Sequence, residues 1–300
     1  MSLNPRFHIF GATGLLGSAL VSRCKEKRVN ICQYSRTGSG TNKFDLASPD
    51  SKLINQVRPI DFIVNLAAVA QPMLVSKNTE YARIINVSGN RRLHRIAVLA
   101  GCKYFFMSSV EVFDGTESAL HEESPKNPIN EYGKQKACAE DYIINHGYGN
   151  YVIGRTSWNV SSTSRGRCLV TFMIRALELD NAKMATDNIF TIASAQETAD
   201  VIIRAMTTDY RGIVHIASPK PISRYEIAEK IIKNYYGGGL SCQPCLFKDL
   251  VFKEPRSRFN VLDVSNSIQN LKAVYSDPES ILLRRIAELN LALNSGMANV

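Results

Sequence analysis

Gly11-Ala-Thr-Gly14-Leu-Leu-Gly17 is the stretch whose reading decides the fold. It follows a short apolar run, Arg6 to Phe10, suited to a first β-strand. It precedes Leu15 to Lys25, where apolar residues recur at helical spacing. The first glycine of such a loop permits a tight turn, and the second lets a pyrophosphate reach the backbone. The third allows the helix to pack closely on the strand. The helix start offers free N–H groups and a partial positive charge to phosphates. Glycines at this spacing also arise by chance in flexible loops. The strand before them and the helix after them give these ones force. Gly11, Thr13, Gly14, Leu15, Leu16 and Gly17 are therefore candidate contacts to a dinucleotide.

Outward from that loop the same rhythm continues. Val29 to Tyr34 and Ile60 to Leu66 read as strands, Asn78 to Ala100 as a long helical stretch, and Lys103 to Met107 as a buried strand. Glu131 to Asn145 is helical and Tyr151 to Gly154 strand-like. Nearly continuous apolar strands alternating with helices predict parallel strands covered on both faces. The expected fold is α/β, a Rossmann-type doubly wound parallel sheet with a smaller C-terminal substrate lobe. After Arg155 the rhythm changes. Ser161 to Arg167 reads as a polar loop; Val170 to Leu179, Thr198 to Met206, Tyr225 to Tyr236 and Ser280 to Leu289 read as helices; Ile213 to Ile216 reads as one more strand. The expected division is a cofactor domain of residues 1–157 plus about 184–220, and a substrate-binding lobe of about 158–183 plus 221–300.

The end of the second strand bears on the choice between the two nicotinamide dinucleotides. An acid there grips the ribose hydroxyls, whereas a cation accommodates a 2′-phosphate. Tyr34 is followed by Ser35, Arg36 and Thr37, with no Asp or Glu. Arg36 can stack on adenine and pair with a phosphate, and Ser35 can donate to it. NADP(H) is expected in preference to NAD(H), although an exposed arginine after a strand is common. Asp45 and Leu46 are placed at the adenine edge. Leu66, Ala67 and Ala68 are placed beside the cofactor, where small side chains leave room.

Tyr132-Gly-Lys-Gln-Lys136 begins a helix, so Tyr132 and Lys136 share one face. Tyrosine's ordinary pKa of about 10 makes it a poor acid–base at neutral pH. A nearby ammonium is expected to stabilise the phenolate and lower that value. This pattern is common by chance. Its place after the strand Lys103–Met107 and the turn Ser108-Ser109 sets it at the crevice of an open sheet.

The pieces FGATGLLG, NLAA, INVSG, SSVEVFDG, NEYGKQKACAE, RTSW and RSRFNVLD follow one another between residues 6 and 265. In this order they resemble the extended short-chain dehydrogenase/reductases, nearest to the dTDP-4-dehydrorhamnose reductase branch. The resemblance implies that Ser109 orients a substrate carbonyl, that Tyr132 is the general acid, and that Lys136 binds the nicotinamide ribose and tunes Tyr132. It places Trp158 against the sugar and Arg256 near a nucleotide diphosphate, with Val69 and Glu111 completing the substrate contacts. The implied chemistry is hydride delivery to a sugar ketone while Tyr132 protonates its oxygen.

The chain departs from that branch on the substrate side. Ser109-Val110-Glu111 stands where the branch has threonine-aspartate-tyrosine, and Asp187 to Ala193 lacks its Asp-Gln-x-Gly-x-Pro-Thr pattern. The asparagine-phenylalanine expected near Cys168-Leu169 is also missing. Epimerase or dehydratase chemistry on a similar sugar is a second reading, weakened because Val110-Glu111 supplies one carboxylate where a dehydratase carries two. A non-catalytic NADP-binding regulatory or interaction protein is a third. The regulatory subunit of methionine adenosyltransferase resembles the same branch and uses the fold as an interaction module.

Composition narrows the partners. A formal charge of +9 over 300 residues favours anionic partners. The basic groups Arg91-Arg92-Arg95 and Arg165-Arg167 come without an aromatic platform or helix-turn-helix, so an anionic small molecule is expected and nucleic acid is not. No apolar run approaches the roughly 18–20 residues that cross a membrane. The opening MSLNPRFHIFGATG has no signal-peptide character, and the seven cysteines are widely spaced. A cytoplasmic protein with reduced thiols is expected, with a homodimer left open. Cys242-Gln-Pro-Cys245 lacks a second ligand pair for zinc, and a loop or edge strand is expected there. His121-Glu122-Glu123 reads as a solvated acidic loop, with a divalent ion at a subunit contact as the alternative. No metal is expected. Asn86 is expected to hold a helix kink or nearby backbone.

Overall fold

The computed structural model of the chain describes residues 4–48, 52–161, 168–179 and 181–295. The polar loop expected at Ser161 to Arg167 therefore lies, from residue 162 on, outside the described residues.

Six strands alternate with helices in the first half: β1 (Arg6–Phe10), β2 (Asn30–Ser35), β3 (Asn42–Lys43), β4 (Phe62–Asn65), β5 (Lys103–Met107) and β6 (Tyr151–Thr156). The helices between them are α1 (Leu15–Glu26), α2 (Pro72–Lys77), α3 (Thr79–Arg83), α4 (Asn90–Ala100) and α5 (Glu131–His146). Then come β7 (Trp158–Val160), α6 (Leu169–Leu177), β8 (Lys183–Ala185), β9 (Ile189–Phe190), β10 (Ile192–Ser194), α7 (Ala195–Thr207) and β11 (Gly212–Ile216). The rest comprises β12 (Ile222–Ser223), α8 (Arg224–Asn234), β13 (Gln243–Cys245), β14 (Phe259–Asn260), α9 (Ser265–Leu271) and α10 (Pro278–Asn294).

Seven of these strands form one sheet in the order β11-β6-β5-β4-β1-β2-β3. Every pairing in it is parallel. Successive side chains of a strand point to opposite faces, so the apolar strands feed two cores. Phe7, Ile9, Val64, Phe105, Met107 and Val152 pack with Leu20 of α1, Ile202 of α7 and Leu271 of α9. Phe10, Ile63, Tyr104, Phe106 and Ile153 pack with Leu93 of α4 and Ile143 of α5. This is the doubly wound sheet that the alternation predicts. The chain runs from β1 to β2 and β3 on one side, then returns to β4 on the other. The order reverses between β1 and β4, and ligands of open α/β sheets bind outside the strand ends at that point.

A third core lies among the later elements. Leu169, Met173 and Ile174 of α6, Phe190 of β9, Ile227 and Ile231 of α8 and Ile281, Leu282 and Ile286 of α10 form it. Trp158 and Leu15 pack at its margin. β13, the edge strand expected around Cys242–Cys245, runs parallel to β8.

One element differs from the periodicity reading. Asn78–Ala100 is α3 followed by a π-helical turn, Ile84–Gly89, and then α4. A π-turn inserts one residue into the helix, and over so short a segment loose i, i+3/i+4 spacing tolerates a slip of one position and does not reveal it. Among the described residues no helix is long and apolar enough to cross a membrane.

Candidate active site

The glycine loop sits at the switch point. Gly11 has φ +80°, and a side chain there would lie 2.8 Å from the Ala67 nitrogen. A Cβ at Gly17 would lie 2.0 Å from the Gly11 carbonyl oxygen, so only glycine lets α1 start this close to β1. The first turn of α1 carries no acidic residue and no capping side chain. Its N–H groups are thus left to face an anion.

Asn65 fixes the loop opposite. Its Nδ2 donates to Asn90 Oδ1 and to Tyr104 Oη, both at 3.1 Å, and its Oδ1 accepts from Ala67 N at 3.2 Å. Asn86, inside the π-turn, accepts from Val69 N at 2.9 Å and donates to Val69 O at 3.1 Å. It also donates to Gln135 Oε1 of α5 at 2.9 Å. One asparagine thereby ties Leu66–Val69 to the helix bearing Tyr132 and Lys136, as the kink expectation anticipated.

At the end of β2, the Ser35 hydroxyl is 2.6 Å from Thr41 Oγ1 and accepts from Gly38 N at 3.2 Å, so it is engaged in shaping its own turn. Arg36 is exposed, and its Nη1 donates to Tyr81 Oη at 3.0 Å. Asp45 accepts from Ala47 N at 2.9 Å. Leu46 is buried beneath Gly89, and its carbonyl accepts from Arg92.

Ser109, Tyr132 and Lys136 come together beyond β5, all buried. Tyr132 is hydrogen-bonded to Ser109. Lys136 Nζ donates to Met107 O at 2.8 Å and lies 5.8 Å from the centre of the Tyr132 ring. The expectation that Lys136 depresses the Tyr132 pKa does not hold in this geometry. Burial, and then the Glu111 carboxylate, push the phenol well above its ordinary value, with the Ser109 bond opposing. Burial also pulls Lys136 down to about 7, so its ammonium is a weak counter-charge.

Asn130 organises the entrance, and the sequence reading did not single it out. Its Oδ1 caps α5 by accepting from Gly133 N at 2.9 Å. Its Nδ2 donates to Glu111 Oε2 at 2.5 Å and to Pro255 O at 3.2 Å. Gly133 is required here, because a Cβ would lie 2.0 Å from the Glu111 carbonyl oxygen. Arg256 Nη1 lies 3.8 Å from Glu111 Oε1. The two polar residues expected on the substrate side therefore meet each other. Trp158 stacks on Phe172, with ring centres 5.8 Å apart.

Behind α5, Glu140 accepts from buried Arg155 through Nε at 3.0 Å and Nη2 at 2.8 Å. Arg155 Nη1 also donates to Glu122 O at 2.9 Å. The centre of the loop expected to be solvated is thus buried. The Glu122 carboxylate is turned inward, accepting from His215 N at 2.9 Å and Asn266 Nδ2 at 3.2 Å. Among the described residues no three or more His, Cys, Asp or Glu are grouped to hold a metal.

With this geometry in view, residues 6–289 match the RmlD substrate binding domain. The chain belongs to the RmlD substrate binding domain family. The RmlD family lies within the extended short-chain dehydrogenase/reductases that the motifs resemble. One relative, methionine adenosyltransferase 2 subunit beta of Xenopus tropicalis, is 34% identical over 149 residues, which are 48% of this chain and 44% of that protein. The chain thus spans less than half the length of that relative. Among solved structures, a dTDP-4-dehydrorhamnose reductase of Clostridium acetobutylicum is 23% identical, with a TM-score of 0.84 over 95% of this chain and 99% of that one. The Bacillus anthracis dTDP-4-dehydrorhamnose reductase in complex with NADP is 22% identical, with a TM-score of 0.81 over 96% of this chain and 99% of that one. At these identities the structural likeness establishes the fold.

Proposed function

We propose that this protein is an NADPH-dependent reductase of a nucleotide-linked 4-keto sugar. The observation that carries the reading is the buried meeting of Ser109, Tyr132 and Lys136 beside the switch-point crevice. A dinucleotide fits the residues present. Gly11 leaves the crevice floor free of side chain, and α1 presents an uncapped, acid-free N-terminus where a pyrophosphate would rest. Gly11, Thr13, Gly14, Leu15, Leu16 and Gly17 would hold it, with Leu66, Ala67 and Ala68 opposite. Arg36 would meet the 2′-phosphate, beside the turn that Ser35 shapes, with Asp45 and Leu46 near the adenine. A nicotinamide held there would supply the hydride.

The chain's own groups do the rest. Ser109 donates to the ketone oxygen and orients it. Tyr132, kept protonated by burial and by Glu111, transfers its phenolic proton to that oxygen. Lys136 would hold the ribose, and ribose hydroxyls facing its Nζ would favour the ammonium that burial disfavours. Val69, Glu111, Trp158 and Arg256 bound the sugar side, with residues of about 158–183 and 221–300 as the substrate lobe. A reducing cytoplasm suits seven cysteines that are all free.

A non-catalytic regulatory role is the second reading, favoured by the likeness to a methionine adenosyltransferase subunit. NADPH oxidation followed at 340 nm with dTDP- and UDP-linked 4-keto sugars separates the two. Turnover with either supports the reductase. NADPH binding without turnover of any such sugar sinks it.

A further inference from the structure

Residues 255–263 run between β9 and the loop at 115–120, bonded by backbone on both edges. On one edge Arg258 O accepts from Ile189 N at 3.1 Å, and Asn260 O from Thr191 N at 3.0 Å. On the other, Phe259 N donates to Gly115 O at 3.1 Å, Leu120 N to Val261 O at 2.8 Å and Asp263 N to Leu120 O at 2.8 Å. The fit is close, since a Cβ at Gly115 would lie 2.3 Å from Ser257 Cβ. The start of the segment is held by side-chain amides instead. Asn188 Nδ2 donates to Ser257 O at 3.3 Å, and Asn130 Nδ2 donates to Pro255 O at 3.2 Å.

Asn130 also closes a ring of contacts around Tyr132. Its Oδ1 accepts from Gly133 N, the residue after Tyr132, and its Nδ2 donates to Glu111 Oε2. Glu111 N donates to Ser109 Oγ at 3.2 Å, and Ser109 is bonded to Tyr132. The ring thus joins two distant stretches, 109–111 and 130–133. The carboxylate that Asn130 holds is, after burial, the group that keeps the phenol protonated. Its other oxygen lies 3.8 Å from Arg256 Nη1, too long and too exposed a pair to fix it. Asn130 itself is buried. A helix cap needs only an acceptor, and Ser or Asp would serve α5 equally well. The two donations from Nδ2 do nothing for the helix. They join its first turn to Glu111 and to the segment at 255.

We propose that Asn130 is a positioning residue of the reaction, its one amide holding Tyr132, Glu111 and the segment at 255–263 in a single register. This rests on the reductase reading above. Asn130 touches no reacting atom and acts through the groups it joins. Proton transfer to a ketone oxygen depends steeply on the separation of donor and acceptor, so a small loss of register lowers turnover more than binding. The cofactor side lies outside the ring, and its affinity does not depend on Asn130.

The test keeps the cap and removes the amide. Asn130→Ser and Asn130→Asp both retain a capping oxygen, so each should unfold near the parent's temperature and bind NADPH with the parent's affinity. Amide hydrogen exchange of the whole protein, read by mass spectrometry, should quicken several-fold over 255–260 in both variants and stay unchanged over 134–140. With a saturating dTDP- or UDP-linked 4-keto sugar, kcat should fall by about ten- to a hundredfold in Asn130→Ser, with a smaller change in KM. Asn130→Asp sets a second carboxylate against Glu111 and should fall further. Adding Glu111→Gln to it lets amide and carboxylate trade places, and should recover part of that loss. A residue that only caps α5 would show none of this. Parent-like exchange over 255–260 in both single variants overturns the proposal, as does quickened exchange with parent-like kcat. It also fails if the added Glu111→Gln deepens the loss of Asn130→Asp. A parent that oxidises NADPH with no such sugar removes the reductase reading, and quickened exchange would then still uphold the tie between α5 and 255–260.

Discussion

Tyr132 holds a phenol that burial and the Glu111 carboxylate keep protonated, which suits a residue asked to give a proton away. Tyr132→Phe removes that proton and keeps the ring. NADPH binding should survive while single-turnover NADPH oxidation slows by about 10²–10⁴-fold, the usual worth of general acid catalysis. Parent-like turnover would end the mechanism and move the regulatory reading to first place. Lys136→Met should harm both cofactor binding and turnover. Ser109→Ala should cost less than Tyr132→Phe, because the acid remains. On the proposed reading, Arg36 would set cofactor choice on the same residue scale. It stands exposed, braced among the described residues by Tyr81 Oη, and on that reading a 2′-phosphate would sit there. NADPH should therefore bind several-fold tighter than NADH, and Arg36→Asp should narrow or reverse the preference. Fluorescence titration of both cofactors checks it, and equal affinities in the parent would defeat the claim.

At the scale of elements, the π-turn at Ile84–Gly89 couples the Leu66–Val69 loop to α5. It does so through Asn86, whose amide serves Val69 N, Val69 O and Gln135 Oε1. Asn86→Leu leaves those groups unpaired, at a cost of about 1–3 kcal/mol for the buried Gln135 amide and less for the part-buried Val69 backbone. Thermal unfolding should show the loss, and NADPH affinity should fall with it because Leu66–Val69 loses its anchor. A variant with parent-like NADPH affinity would show that the loop holds itself. The glycine loop could be read directly because its demands are local, with a strand, a turn at φ +80° and a helix within a few residues. The doubly wound sheet was legible for the same reason, since its strands are short apolar runs. The inserted residue of the π-turn was not, because loose helical spacing tolerates a slip of one position. Nor were the tasks of Asn130 and Glu122. Their partners lie far along the chain: Asn130 bonds Pro255, and Glu122 bonds His215. The Tyr132 shift was misjudged because spacing places Lys136 near but says nothing of the burial that weakens its charge.

For the molecule as a whole, three buried histidines set the acid limit of stability. His94 lies edge-on to Tyr104 and Tyr142, and burial lowers it to about 4. His215 is lowered to about 3 by burial and by Arg155 nearby. His8, between Tyr34 Oη and Asp61, is also lowered by burial, with Asp61 opposing. An unfolded histidine titrates near 6.5. Below that pH the unfolded chain binds more protons than the folded one, so stability falls as pH falls toward the folded values, and above about pH 7.5 the three contribute no slope. At pH 5, His94 and His215 each remove about 2 kcal/mol, a large part of an ordinary domain's stability. Paired carboxylates such as Asp61, held below their usual range, do not titrate until the pH is lower still. The unfolding midpoint should therefore drop steeply between pH 6.5 and 5. Among the described residues the Nδ1 of His94 has no hydrogen-bond partner, so His94→Leu strands no group on that side and should hold much of its midpoint at pH 7.5. It should also flatten the acid slope. Midpoints of parent and variant that run parallel from pH 7.5 to 5 would show that His94 is protonated in the folded protein, and that its site is wetter than its burial implies.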